Sequence, residues 1–145
     1  MKLSKDFNLT KNFRINEFLS DNDSGEISIE DYININQMAS KLQELRNVVG
    51  SINVNSGYRS ESYNKKIGGS LNSYHLKGLA VDIKFDWSHW NVESLLDIIN
   101  YLGFGNAGFY VRNGNMVWIH LDVGKPWLGG WTKFTDSLSY KEYEV

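Results

Sequence analysis

Apolar residues recur at helical spacing in two stretches of the chain. Between residues 28 and 49 they follow alternating steps of three and four, which predicts a helix with one buried stripe. The stripe consists of Ile35, Met38, Leu42, Leu45 and Val49. Ser28 and Asp31 frame its start like a capping box, and Gly50 ends it. Residues 92–102 predict a second helix, which stops at Gly103.

Four shorter stretches alternate apolar and polar residues and predict strands, at 52–55, 79–85, 109–111 and 116–123. The last two flank Asn113-Gly114, a strong hairpin pattern. A short helix is predicted over 62–67, and Gly68-Gly69 breaks it. The order helix, strand, short helix, strand, helix, hairpin predicts an α+β fold with a small, largely antiparallel sheet and helices on one face.

The ends of the chain are less regular. The first 27 residues contain an apolar cluster of Phe13, Ile15, Phe18 and Leu19, followed by an acidic stretch at 21–26 that predicts a loop. The tail after Pro126 is rich in Trp and Gly and has no clear periodicity. A length of 145 residues suits one domain, so we expect residues 1–145 to form a single unit and a monomer.

Composition narrows the classes of partner and chemistry. A net charge of -2 gives no electrostatic footprint for nucleic acid or an anionic membrane, and no apolar run approaches a membrane span. The chain has no Cys, so any metal must be held by His and carboxylate. The N-terminal residues lack the apolar core of a signal peptide, which predicts synthesis in the cytoplasm.

Polar residues capable of binding a metal lie on one face of two predicted strands. Side chains alternate along a strand, so Asp82 points away from the core in 79–85, and His120 and Asp122 do so in 116–123. If the two strands are neighbours, Asp82 and His120 converge. His75 lies seven residues before Asp82, and Gly78 can supply the reversal that folds its loop over the strand.

These residues make a set of two His and one carboxylate. Zinc takes such ligands tetrahedrally, and three protein ligands leave a fourth position open, as in catalytic sites. His75, Asp82 and His120 are therefore the predicted Zn²⁺ ligands.

The surrounding pattern resembles the zinc D,D-peptidases of the D-alanyl-D-alanine carboxypeptidase and hedgehog-like group, the M15 peptidases. The motifs lie within the predicted region 52–124. They are Ser56-Gly57-Tyr58-Arg59-Ser60, Asn64, Gly68-Gly69, the Ser-x-His-x-x-Gly-x-Ala-x-Asp pattern from Ser73 to Asp82, and Trp118-Ile119-His120-Leu121-Asp122. The resemblance implies a hedgehog or D,D-peptidase-like fold.

The resemblance also implies roles for individual residues. His75, Asp82 and His120 would bind zinc, Arg59 would contact the substrate and the developing oxyanion, and Ser73 would help to hold the substrate. Ser73 can equally cap the backbone of its own loop. Many relatives carry a Glu three residues before the last His, where this chain has Val117. Asp122 is then the candidate for the general base, or for a residue that orients His120.

The implied function is hydrolysis of peptide bonds in bacterial peptidoglycan, as a D,D-carboxypeptidase or an endopeptidase. Because the substrate lies outside the membrane, we expect a phage lysin or virion-associated enzyme that reaches the wall after phage-type release or delivery. The alternative is a catalytically silent domain of the same fold that binds zinc or cell-wall peptide, and Val117 is its main support.

Overall fold

The computed structural model describes residues 6–23, 25–113 and 115–125, together with the backbone of 132–136. Three α-helices lie at Ile29–Val49 (α1), Glu61–Ile67 (α2) and Val92–Tyr101 (α3). The strands are Ile52–Ser56 (β1), Ala80–Phe85 (β2), Asn106–Arg112 (β3), Asn115–Asp122 (β4) and Thr132–Asp136 (β5). Two 3₁₀ helices lie at Ile15–Phe18 (η1) and Tyr74–Lys77 (η2).

The strands form one sheet in the order β1-β2-β4-β3-β5. The first four pair antiparallel, and β5 pairs parallel with β3 at one edge. The predicted α+β fold with a largely antiparallel sheet is therefore confirmed. The parallel strand β5 lies in the tail for which the sequence predicted no element.

One face of the sheet and the helices enclose the core. Val81 and Ile83 of β2 and Ile119 and Leu121 of β4 are fully buried there, as the alternation predicts. The predicted stripe of α1 packs in the same cluster, and so do Leu95 and Ile99 of α3. Phe13, Ile15 and Phe18 of the N-terminal segment complete it. Helices α1 and α3 thus pack on one face of the sheet, which leaves the other face for polar side chains.

Local caps explain where the helices begin and end. The Ser28 hydroxyl accepts a hydrogen bond from the Asp31 amide at 3.0 Å and starts α1, while Gly50 ends it with a φ of 91°. The Asn91 side chain caps α3 through the Ser94 amide at 2.8 Å. These ends agree with the predicted ones to within a residue.

Strand β3 is longer than the sequence predicted. It begins at Asn106 instead of residue 109, because Asn106 and Ala107 pair with Asp122 and Leu121 of β4. A register shift between Val54 and Ser56 of β1 was also not predicted.

Some predictions fall on residues beyond the description. Gly114 of the predicted hairpin turn and residues 126–131 and 137–145 of the tail lie outside the described residues. Within the part that is described, no helix is long and apolar enough to span a membrane.

Candidate metal centre

Strand pairing places two of the three predicted ligands side by side. In the antiparallel pair β2 and β4, Asp82 lies directly opposite His120. Residues paired across strands share a face of the sheet, so both side chains project from the face opposite α1 and α3. The condition under which Asp82 and His120 were expected to converge, that their strands are neighbours, is therefore met.

The third predicted ligand, His75, reaches them from the 3₁₀ helix η2. The Ser73 hydroxyl caps this helix by accepting from the His75 amide at 3.2 Å. Gly78 ends it with a φ of 72°, a left-handed conformation that Gly adopts without strain, and the chain then enters β2. This is the reversal that the sequence predicted.

The three side chains form one compact, buried group. One potential ligand atom from each lies within 4.8 Å of those of the other two. The Asp82 Oδ1 atom is 3.4 Å from His75 Nε2 and 3.0 Å from His120 Nδ1. Two ligands of a tetrahedral zinc ion lie about 3.3 Å apart, given bonds of about 2.0 Å. The spacing therefore suits a zinc ion.

The surroundings of the two ring nitrogens of His75 also fit a role as a metal ligand. Its Nδ1 lies 2.7 Å from the Gly57 carbonyl oxygen, which can only accept, so Nδ1 carries the proton. The lone pair of His75 is therefore on Nε2. That atom is fully buried and has no hydrogen-bond partner among the described residues. A buried, unpartnered nitrogen facing a carboxylate fits a metal ligand.

The buried charges shift the pKa values of the group in the absence of a metal. Burial alone would raise the pKa of Asp82, but the adjacent His75 and His120 hold that pKa well below its usual range. For His120, burial opposes the charged form, but hydrogen bonds and charges from Asp122 and Asp82 outweigh it and raise the pKa to about 9. Without a metal, His120 is thus a protonated imidazolium at neutral pH.

Asp122 contacts His120 from the side opposite Asp82. Its Oδ2 accepts from His120 Nε2 at 2.8 Å. Its Oδ1 accepts from the Asn106 side chain at 2.7 Å and from the Gly124 amide at 3.0 Å. Asp122 is fully buried. Both carboxylate oxygens are therefore engaged by protein donors.

Arg59 and Ser73 lie together beside His75. The Arg59 guanidinium donates to the Ser73 hydroxyl at 3.3 Å, and the Arg59 amide donates to the His75 carbonyl at 3.0 Å. Both side chains are buried. The structure thus brings all six predicted site residues into one connected group: Arg59, Ser73, His75, Asp82, His120 and Asp122.

Two further features border this group. A cleft of about 270 Å³ runs between η1, the end of β1 and α2, and Ser56, Gly57 and Arg59 line it. On the same sheet face as His120, Tyr110 and Trp118 stack with ring centroids 4.2 Å apart. The cleft therefore meets the group at Gly57 and Arg59, and the aromatic pair shares the sheet face of His120.

The family comparison agrees with the motifs. The family model described as Peptidase M15 matches residues 11–122. This match covers well over half of the chain and includes all six predicted site residues, so the chain belongs to the Peptidase M15 family. Membership indicates a peptidase, and the family is typically zinc-dependent. No curated protein sequence matches the chain.

The Gly57 carbonyl and the Asn106 side chain contact the centre and were not predicted from the sequence. The Gly57 carbonyl accepts the hydrogen bond that keeps the proton of His75 on Nδ1. No residue pattern in the sequence predicts a contact made by a backbone carbonyl. Asn106 contacts Asp122 through the pairing of β3 with β4. The longer β3 is what brings it there, so a correct strand boundary was the only signal available.

Proposed function

We propose that this protein is a zinc-dependent peptidase that hydrolyses peptide bonds of bacterial peptidoglycan. The observation that carries the proposal is the donor set of His75 Nε2, Asp82 Oδ1 and His120 Nδ1, buried and spaced as a tetrahedral ion requires. Membership of the Peptidase M15 family supports peptide hydrolysis. When bound, zinc supplies a Lewis acid that polarises a carbonyl and makes water acidic enough to act as a nucleophile.

The protein's own residues orient that donor set. The Gly57 carbonyl holds the proton on His75 Nδ1 and so directs Nε2 inward. The Asp122 carboxylate accepts a hydrogen bond from the protonated Nε2 of His120, which leaves Nδ1 as the ligand atom. Of the two roles predicted for Asp122, these contacts favour orientation of His120 over that of general base, since both carboxylate oxygens are engaged.

Arg59 and Ser73 form the proposed substrate contacts. The Ser73 oxygen already accepts from Arg59 and from the His75 amide, so its hydroxyl proton is left to donate to a substrate oxygen. The Arg59 guanidinium supplies positive charge beside the ligands, where an oxyanion would develop. Because Arg59 also lines the 270 Å³ cleft, we place part of the substrate peptide there.

Two observations favour a second function. Val117 replaces the Glu of many relatives, and the carboxylate of Asp122 is occupied by three donors. A silent domain that binds zinc or cell-wall peptide without cleaving it would have this arrangement. The phage-type release predicted from the sequence is compatible with either function and stays a prediction.

One experiment separates the two functions. Zinc-loaded protein is incubated with purified peptidoglycan of several stem chemistries, and released fragments are identified by mass spectrometry. We expect chelator-sensitive release that His120→Ala abolishes. The matched control is His89→Ala, because His89 is exposed and outside the centre. Zinc binding without release from any wall would favour the silent domain, and the fragments themselves distinguish a carboxypeptidase from an endopeptidase.

A further inference from the structure

We propose that Asn106 is a positioning residue of the metal centre, which fixes His120 by holding the carboxylate of Asp122. The inference rests on the proposed function, because it concerns the same donor set. The Asn106 side chain donates hydrogen bonds to Asp122 and to the Lys125 carbonyl, and we infer that it acts on His120 through Asp122.

Both N–H groups of the Asn106 side chain have an acceptor in the structure. Asn106 begins β3 directly opposite Asp122 and is fully buried. Its Nδ2 donates to Asp122 Oδ1 at 2.7 Å and to the Lys125 carbonyl at 2.8 Å. A side-chain amide nitrogen has two protons, so these two acceptors use the full donor capacity of Nδ2.

The hydrogen bond from Asn106 helps to fix one orientation of the Asp122 carboxylate, which could otherwise rotate. The terminal torsion of an Asp side chain is broad and nearly two-fold, so packing alone specifies it weakly. Asn106 and the Gly124 amide both hold Oδ1, which directs Oδ2 at His120 Nε2. His120 then presents Nδ1 towards Asp82. The orientation of a ligand is thereby set from a neighbouring strand.

Asn106 also contacts the chain just beyond β4, through its hydrogen bond to the Lys125 carbonyl. Lys125 lies just beyond the strand, and its amide lies 3.3 Å from the Tyr74 hydroxyl. Tyr74 is the residue before His75. The Asn106 side chain therefore joins the strand that carries His120 to the segment that contacts the neighbour of His75.

The test compares zinc affinity among variants by competition with a chromophoric chelator. Asn106→Leu keeps a similar volume but has no donor, and we expect it to weaken zinc binding about 10-fold, the low end for residues that support a ligand. The matched control is Gln43→Ala on α1, which removes part-buried hydrogen bonds to Asn12 and Thr10 of the N-terminal segment. That control should bind zinc like the wild type.

A second variant guards against misfolding. Asn106→Ser is small and polar, and its donor lies one bond nearer the backbone, so the contact to Asp122 is still lost. We expect the same weakening of zinc binding. In zinc-loaded protein, the Nε2 proton of His120 should also exchange faster with water in either variant, as measured by ¹⁵N-edited NMR.

A double-mutant cycle tests the route through Asp122. If Asn106 acts on that carboxylate, Asn106→Leu should cost much less zinc affinity in an Asp122→Asn background than in the wild type. Additive losses would overturn the inference.

The outcomes also separate this inference from the proposed function. If the wild type and His120→Ala bind zinc equally, the proposed metal centre is wrong and the role of Asn106 falls with it. If the wild type binds zinc and His120→Ala does not, unchanged affinity in both Asn106 variants overturns the role of Asn106 alone.

Discussion

The close approach of β4 to η2 depends on a residue without a side chain. A Cβ at Gly124 would collide with the ring of Tyr74, and Tyr74 directly precedes His75. Gly105 is constrained in the same region, because a Cβ there would strike the Gly124 carbonyl. These glycines let the strand that carries His120 lie against the turn that carries His75. They contribute no ligand atom, but their lack of a side chain allows the proposed ligands to come together.

The charges of Asp82 and His120 predict how the stability of the metal-free protein depends on pH. The pKa of His120 is raised to about 9 in the folded state, so its contribution is fully present below its unfolded pKa of about 6.5 and is lost as the pH rises through 9. The pKa of Asp82 is lowered, so its contribution is present above about 3.9 and is lost at lower pH. With chelator present, the urea midpoint should be higher at pH 6 than at pH 9.5.

His120→Gln is the control for that measurement. It removes the titrating group, so the fall in urea midpoint between pH 6 and pH 9.5 should shrink. An equal fall in both proteins would assign the alkaline loss of stability to other groups.

Residue spacing predicted that Asp82 and His120 share a sheet face, which the register of β2 and β4 confirms, but it did not predict the groups that contact them. Asp82 and His120 were found because the side-chain period of a strand is two, which fixes their face once the core residues are known. Asn106 and the Gly57 carbonyl were missed for a different reason. Their contacts depend on which strands pair and where a turn closes, and those long-range relations leave no local periodicity.

Elements with strong local patterns were predicted well. The stripe of α1 and its caps at Ser28 and Gly50 define the helix to within one residue. The hairpin of β3 and β4 pairs two strands that the sequence predicted, although β3 starts earlier than its apolar run. Strand β5 could not be predicted, because its parallel pairing with β3 depends on a partner far away in the sequence.

The cap of α1 gives a prediction at the level of the element. Ser28→Ala removes the acceptor of the Asp31 amide and should lower the free energy of unfolding by about 1 kcal/mol. The loss would appear as a lower urea midpoint with an unchanged slope.

Ser40→Ala is the matched control on the same helix. Ser40 is exposed and donates to the Asn36 carbonyl within the helix, and Ala is the better helix former. Its free energy of unfolding should stay within about 0.5 kcal/mol of the wild type. Equal losses in the two variants would show that the Ser28 hydroxyl is not the stabilising cap.

At the scale of the whole molecule, a metal held between β2, β4 and η2 must stabilise the fold. Ligand that binds only the folded state adds about 2.7 kcal/mol when it is present at 100 times its dissociation constant. We therefore expect zinc to raise the melting temperature of the wild type and of His89→Ala. A rise of the same size in His120→Ala would show that zinc acts at another site.

The pairing of Asp82 with His120 also has a consequence for folding. These residues are 38 positions apart, and a slip of one residue between their strands would turn one of the two side chains to the opposite face. A chain misaligned in this way cannot offer both ligands to one ion. Zinc bound as proposed would therefore stabilise only chains with the correct strand alignment. Refolding with zinc should then yield fewer misaligned, aggregation-prone chains than refolding without it.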